Sequence, residues 1–245
     1  MVSWNEFISR LKTDFRFSKQ EIPGLVVAIL VTGFVFSFRD WGIGQFELVT
    51  GLKNFLIVCF IVAITFFFRI SAQKMYGLTE GHKPVFKVWW MGLVIALILA
   101  FISSGRIPLV LIGGTMTVLM VRHRLGEFRY GTSYWVNGMT AYFGPLANIL
   151  LAILFGIGNY FMPGSYFFSK GLLLNIIMAI CALIPIPQLE GLSIYMARRG
   201  LYYIAVASVI LAAILLLSKT TIGLIVAIVI ALIYGMIHKL IRSDV

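Results

Sequence analysis

The stretch NIIMAICALIPIPQLEGLSIY, residues 175–195, decides how the chain is organised. It begins as an apolar run with Asn175 inside it and is then interrupted by Pro185 and Pro187. Proline has no backbone N–H and disrupts a helix, so the two prolines predict a break in a membrane segment. Irregular backbone at membrane depth is tolerated only where protein or a cavity satisfies its polar groups. Glu190, which follows the break, is therefore predicted to face protein or a cavity rather than lipid.

The rest of the chain is similarly apolar. Of its 245 residues, 60% are hydrophobic and 12% are charged, and the mean hydropathy is +0.99. A soluble domain of this length carries about 25% charged residues and buries only roughly 70 to 75% of its surface. The composition therefore excludes a water-soluble globular protein and favours a membrane protein.

Apolar runs long enough to be membrane segments recur along the chain. They cover, approximately, residues 24–38, 53–73, 88–103, 107–121, 138–161, 168–187, 201–217 and 221–239. The run 107–121 is short and contains Pro108, Gly113 and Gly114, so a re-entrant hairpin or an extended segment fits it better than a spanning helix. Alternating aromatic residues predict short β structure for residues 122–135. We expect an all-α polytopic membrane protein of about seven transmembrane helices with a short re-entrant or β-hairpin element.

Charge and periodicity predict how the chain sits in the membrane. Residues 1–23 have apolar and basic positions at helical spacing, which indicates an amphipathic helix that lies at the interface or packs on the rest of the protein. Residues 24–240 are expected to form one transmembrane domain. With all eight runs crossing, the loops on the N-terminal side hold 14 Lys and Arg, Lys74 among them, against 5 on the opposite side. This excess predicts a protein of the cell membrane with both termini in the cytoplasm.

The net charge of +11 has the same explanation. It arises from 20 Lys and Arg against 9 Asp and Glu. Binding of nucleic acid requires a basic patch on a folded surface, and little of this chain is left to form one. Loop charge that orients the spans and contacts anionic lipid accounts for the balance. The expected partner is therefore the lipid bilayer, without nucleic acid.

Two motifs carry a resemblance to a known family. The stretch AYFGPLANILLAILF, residues 141–155, is followed at one helix's distance by residues 175–195. Together they resemble the paired signatures of the site-2 proteases, which are intramembrane zinc metalloproteases, and in particular the archaeal branch of that family. The signatures are a Gly-Pro-x-x-Asn helix start and a later Asn-Leu-Leu-Pro-x-Pro-x-Leu-Asp-Gly segment. The scaffold-motif positions here are Gly144, Pro145, Asn148, Asn175, Pro185, Pro187 and Gly191, and Ala182 stands where the Asn before Leu-Leu-Pro would be. The resemblance covers about residues 20–200, with its core at about 53–200.

The zinc motif of that family is absent from the sequence. In the family, a His-Glu-x-x-His helix supplies two zinc ligands and the general base, and a later Asp supplies the third ligand. No His-Glu-x-x-His occurs here. Placing MYGL, residues 75–78, on the similar family residues just after that helix puts Thr65, Phe66 and Arg69 at the His, Glu and His positions. Glu190 then stands at the Asp position. The resemblance thus implies degenerate zinc-site positions, and we expect no catalytic residue, no metal and no cofactor.

The residues that replace the zinc site suggest a hypothesis. A guanidinium from Arg69 would occupy the metal position and pair with Glu190, because Arg and a carboxylate match as a planar, bidentate pair. The alternative is that Arg69 extends to the membrane interface and Glu190 is solvated. The three histidines, His82, His123 and His238, fall in loops or at a helix end, so a zinc site with convergent ligands is not expected from them.

Three classes of function are compatible with these features. The leading interpretation is a catalytically degenerate, site-2-protease-like protein that binds or scaffolds other membrane proteins or transmembrane segments. Its extended segment would pair with an unfolded strand of the partner. One alternative is a divergent intramembrane metallopeptidase that uses other residues. The other is a transporter or channel, which usually has broken helices in both halves, whereas only one half is broken here.

Overall fold

The computed structural model describes residues 4–42, 45–119, 133–218 and 223–230, and in this part the chain is mostly helical with two β-strands. Its elements, in chain order, are α1 (Trp4–Asp14), α2 (Glu21–Ser37), α3 (Leu48–Thr79), β1 (His82–Val88), α4 (Trp90–Ile102), β2 (Gly113–Leu119), α5 (Tyr134–Phe161), α6 (Tyr166–Ala182), α7 (Glu190–Ala197) and α8 (Arg199–Leu217). Residues 223–230 are also helical. The β structure predicted for 122–135 falls mostly outside the described residues, and Tyr134 and Trp135 begin α5 instead.

Three of the described helices, α3, α5 and α8, are long and apolar enough to cross a membrane. The helices α2, α4 and α6 are apolar but shorter. At 1.5 Å per residue, the 13 residues of α4 extend only about 20 Å, short of a hydrocarbon core of about 30 Å. The apolar helices fit a lipid bilayer, while the total of about seven spans stays a prediction.

Small residues let the helices approach one another closely, as is common in membrane proteins. On α2, Gly33 lies against Cys59 of α3, and a Cβ at this position would collide with the Cys59 sulfur. On α6, Gly171 lies against the ring of Phe155 of α5 in the same way. These contacts bring α2, α3, α5 and α6 together around one apolar core.

The extended segment predicted within residues 107–121 is present as β2, but it is not part of a local hairpin. Its partner is β1, which lies before α4, and the two strands pair antiparallel with Phe86 opposite Thr115 and Pro84 opposite Thr117. Pro84 and Phe86 are buried at alternate positions of β1 and Lys87 is exposed, which suits a half-buried strand. The pairing is non-local because a whole helix separates the strands, and this is why sequence periodicity did not predict it.

A buried ion pair fixes β1 to the helices. Lys74 of α3 was counted as a loop charge, but it is 2% exposed and its Nζ lies 3.0 Å from Oε2 of Glu21 at the start of α2. The other carboxylate oxygen of Glu21 accepts a hydrogen bond of 2.7 Å from the backbone N–H of Phe86 in β1. Lys74 also donates to the backbone oxygen of Arg16 at 2.9 Å. Glu21 therefore joins α2, α3 and the outer edge of β1.

Candidate functional site

A buried ion pair joins α3 to the start of α7, directly after the Pro-rich break. The connection 183–189 contains both prolines and is non-helical, as they predict, and α7 begins directly after it at Glu190. Nη2 of Arg69, on α3, lies 2.8 Å from Oε2 of Glu190, and the two side chains are 2% and 0% exposed. The sequence-based alternative, with Arg69 at the membrane interface and Glu190 in solvent, is wrong because neither group reaches the surface.

The carboxylate of Glu190 is shared between two side chains rather than held by a bidentate guanidinium. Its Oε1 accepts a hydrogen bond of 2.7 Å from Nε2 of Gln73, one turn after Arg69 on α3. Within the described part of the chain, Nε of Arg69 has no hydrogen-bond partner. The bidentate geometry expected from the sequence is therefore replaced by a shared one, in which Glu190 lies between Arg69 and Gln73.

Gln73, which sequence analysis missed, connects this ion pair to the sheet. Its Oε1 accepts a hydrogen bond of 2.6 Å from Oγ1 of Thr115 in β2, and the side chain is fully buried. The spacing of four residues after Arg69 was a usable signal, because residues i and i+4 share a helix face. Through Gln73, the helices α3 and α7 and the strand β2 form one polar network.

Pro145 explains a further contact of Gln73. Proline lacks the N–H that would bond to the carbonyl four residues earlier, so the oxygen of Ala141 has no intrahelical donor. Nε2 of Gln73 lies 3.4 Å from this oxygen and donates to it. The Gly-Pro-x-x-Asn motif thus lies in the interior of α5, not at a helix start as the family signature predicted. Its proline leaves a backbone acceptor for the network.

Two glycines of the motifs allow the backbone to approach this network. A Cβ at Gly144 of α5 would collide with Oε2 of Glu190 and Nε2 of Gln73. A Cβ at Gly191 would collide with the carbonyl oxygens of Leu183 and Ile184 at the end of α6. The first glycine makes room for the ion pair, and the second lets α7 fold back against α6.

The remaining positions of the predicted site divide between a separate hydrogen bond and the apolar core. Nδ2 of Asn175 donates to Oγ1 of Thr65 at 3.2 Å and to the oxygen of Gly171 at 2.8 Å, so Asn175 joins α6 to α3. Phe66 is 2% exposed and packs in the apolar core instead. Thr65 and Phe66 therefore face different surroundings, although the family comparison placed them side by side at the zinc site.

Asn148 is the most unusual polar residue of this region. It is fully buried, and neither its amide nitrogen nor its amide oxygen has a hydrogen-bond partner among the described residues. It follows Gly144 by one helical turn, so it lies on the same face of α5 as the residue that contacts Glu190. This face of α5 thus contains a buried donor and a buried acceptor that no described group satisfies.

The residues present do not fit a zinc ion. Zinc takes three or four nitrogen, sulfur or oxygen ligands, and a permanently charged guanidinium repels it. In the described parts of the chain, no three His, Cys, Asp or Glu residues lie together in a way that would bind a metal. His82 lies at the start of β1, and its Nδ1 is 2.8 Å from the oxygen of Glu80. His123 and His238 lie outside the described residues.

The chain is similar to one curated protein over most of its length. It is 28% identical over 187 residues to a protein of Methanocaldococcus jannaschii named "Putative zinc metalloprotease", and the alignment covers 72% of this chain and 84% of that protein. No protein-family model matches the chain. No solved structure gives a significant match.

Proposed function

We propose that the protein has the scaffold of the site-2 proteases without their chemistry, and its similarity to a putative zinc metalloprotease supports the scaffold. The protein is a catalytically degenerate, site-2-protease-like membrane protein that binds segments of other membrane proteins without cleaving them. It lies in the cell membrane with both termini in the cytoplasm. The ion pair between Arg69 and Glu190 is the observation that carries this proposal.

That ion pair is unsuited to peptide hydrolysis by the family's mechanism. A guanidinium remains protonated in proteins, so Arg69 does not accept a proton from water. The carboxylate of Glu190 is engaged by Arg69 and by Gln73, and both of its neighbours are buried. Thr65 and Phe66, at the other positions implied by the family comparison, supply neither an imidazole nor a carboxylate. The described residues thus contain no group of metal ligands that would activate water for attack on a peptide bond.

The sheet favours binding at one particular edge. On β1, the N–H of Phe86 points away from β2 and donates to Glu21, so this edge is closed at its centre. In an antiparallel pair, residues whose N–H groups point outward face each other as a non-hydrogen-bonded pair. Thr115, opposite Phe86, therefore also directs its backbone N–H and C=O away from β1. The outer edge of β2 is the side on which an extended segment of a partner would add as a further strand.

Two contacts link the outer edge of β2 to the rest of the protein. The N–H of Thr117 donates to Oδ1 of Asn137 on α5 at 3.2 Å, so a side chain occupies one position that a partner strand would use. Oγ1 of Thr115 donates to Gln73, which contacts Glu190. A strand that binds here would displace Asn137 and would lie next to the ion pair, where the family cleaves its substrates.

A single experiment separates this function from that of a metallopeptidase. The full chain is reconstituted with a model single-span peptide whose helix is weakened by Gly and Pro and which carries a photo-crosslinker. We expect crosslinked adducts of the intact peptide on β2 and no cleavage products by mass spectrometry, with or without added zinc. The matched control carries the crosslinker on the same peptide without the Gly and Pro, and it should give fewer adducts.

Two results would contradict the proposal. Cleavage of the peptide that stops on addition of a zinc chelator would show a working metallopeptidase. Equal crosslinking of the weakened and the regular peptide, without enrichment on β2, would show that the protein does not bind extended segments at this edge.

A further inference from the structure

A cavity lies away from the ion pair, where α7 ends and α8 begins. It has a volume of about 510 Å³ and is lined by Tyr134, Tyr195, Met196, Arg198 and Arg199. The cavity is open to its surroundings, because Tyr134 is 72% and Met196 62% exposed. Two arginines and two tyrosines around one cavity present guanidinium and phenol donors, which suit an anionic oxygen ligand.

This cavity carries the positive charges of two arginines. In the described ranges, the ion pairs of the protein involve neither Arg198 nor Arg199. The guanidinium of Arg199 lies 5.8 Å from the ring centre of Tyr195, which orients it without cancelling its charge. The sequence from Gly191 to Ser243 contains no Asp or Glu. The two arginines are therefore able to bind an external anion.

The surroundings of the cavity place it at the lipid headgroup level. Tyr and Trp concentrate at membrane interfaces, and Tyr202 and Tyr203 form a ring cluster with Tyr195 here. Arg199 is the first residue of α8, one of the three helices able to cross a membrane. Beyond it, apolar side chains of α8 are exposed, including Ile204 at 57% and Ile214 at 63%. The outer face of α8 thus offers a path for acyl chains directly beside the cavity.

We propose that this cavity binds the phosphate headgroup of an acidic phospholipid, with the acyl chains along the exposed face of α8. The guanidinium groups of Arg198 and Arg199 bind the phosphate oxygens, because Arg binds phosphate through parallel N–H donors. The hydroxyl groups of Tyr134 and Tyr195 provide further donors at the rim. This site is independent of the proposed binding at β2, since it shares no residue with the network around Glu190.

Lipid retention by the purified full chain tests the site. The protein in detergent is titrated with phosphatidylglycerol, with phosphatidylcholine and with inorganic phosphate, and bound molecules are counted by native mass spectrometry. A basic residue near an anionic surface contributes about fivefold in affinity. The double variant R198Q/R199Q should therefore bind phosphatidylglycerol roughly twenty-five-fold more weakly. The matched control is R106Q, which neutralises an exposed arginine that is not part of the cavity and should bind like the wild type.

A second measurement on the unchanged protein does not depend on the variants. Phosphatidylglycerol with a photoactivatable headgroup should label Tyr134, Tyr195 or Met196, and an excess of unlabelled phosphatidylglycerol should prevent this. The proposal would be overturned if both lipids bound equally, or if inorganic phosphate bound in preference to either lipid. Labelling confined to other segments would also overturn it. Unchanged phosphatidylglycerol binding by a folded R198Q/R199Q variant would overturn it as well.

Discussion

Replacing Glu190 by alanine should destabilise the protein more than replacing Arg69 by alanine, although both changes break the same ion pair. The two side chains are 0% and 2% exposed, so either change leaves a buried charge, which costs about 3 to 5 kcal/mol. After Arg69→Ala, Glu190 keeps its hydrogen bond from Gln73 and can become neutral by taking up a proton. After Glu190→Ala, Arg69 stays charged, because a guanidinium does not lose its proton in proteins. We expect about 3 kcal/mol for Arg69→Ala and about 5 kcal/mol for Glu190→Ala.

The double variant Arg69→Ala/Glu190→Ala removes both charges and should therefore cost less than the sum of the single changes. Contacting residues show interaction energies of up to about 3 kcal/mol, so the double variant should lose about 5 rather than about 8 kcal/mol. The assay is unfolding of the full chain in mixed micelles at increasing fractions of SDS, followed by loss of helical circular dichroism.

The exposed pair of Glu6 and Arg10 on α1 is the matched control for this cycle. Glu6→Ala breaks an ion pair of 2.6 Å between partly exposed side chains and should cost less than about 1 kcal/mol. The reasoning would be refuted if Arg69→Ala and Glu190→Ala lowered the stability equally and their losses added within about 0.5 kcal/mol in the double variant. Uncoupled residues behave in this way.

Three further predictions, the first with a control variant, test other contacts of the protein. Gly144→Ala should lower the stability by about 1 to 3 kcal/mol, since its Cβ meets Glu190 and Gln73, whereas Gly200→Ala, with open space around it, should leave the melting temperature equal or higher. Asn137→Ala should increase crosslinking of the weakened peptide to β2, because it frees a backbone N–H of the strand, and unchanged crosslinking would argue against binding at this edge. Lys74→Met should cost about 3 to 5 kcal/mol in the same SDS assay, because it leaves Glu21 buried without its cation, and a loss below about 1 kcal/mol would contradict the burial of that pair.

The sequence predicted the parts of the site that depend on residue type and local chain geometry. Pro185 and Pro187 cannot continue a helix, so the break before Glu190 was predictable from them alone. Arg69 in an apolar run requires a counter-charge or an exit to the interface, and Glu190 was the available carboxylate beside the break. The structure decides between these two possibilities because it brings α3 and α7 together.

What sequence analysis missed depends on contacts between distant segments. β1 and β2 are separated by α4, and no periodicity in either strand identifies its partner. Lys74 was counted among the loop charges because it lies close to the end of an apolar run, but α3 continues to Thr79 and buries it against Glu21. The family signature also placed Pro145 at a helix start, whereas α5 extends well before it and Gln73 satisfies the carbonyl that the proline leaves free.

The metal content of the purified, untagged full chain tests most directly whether an ion pair has replaced the zinc site. The protein is expressed with added zinc, dialysed and analysed by inductively coupled plasma mass spectrometry, together with Glu190→Ala. We expect far less than one zinc per chain in both proteins, because Arg69 occupies the position beside Glu190. About one zinc per chain in the wild type that disappears in Glu190→Ala would contradict this conclusion.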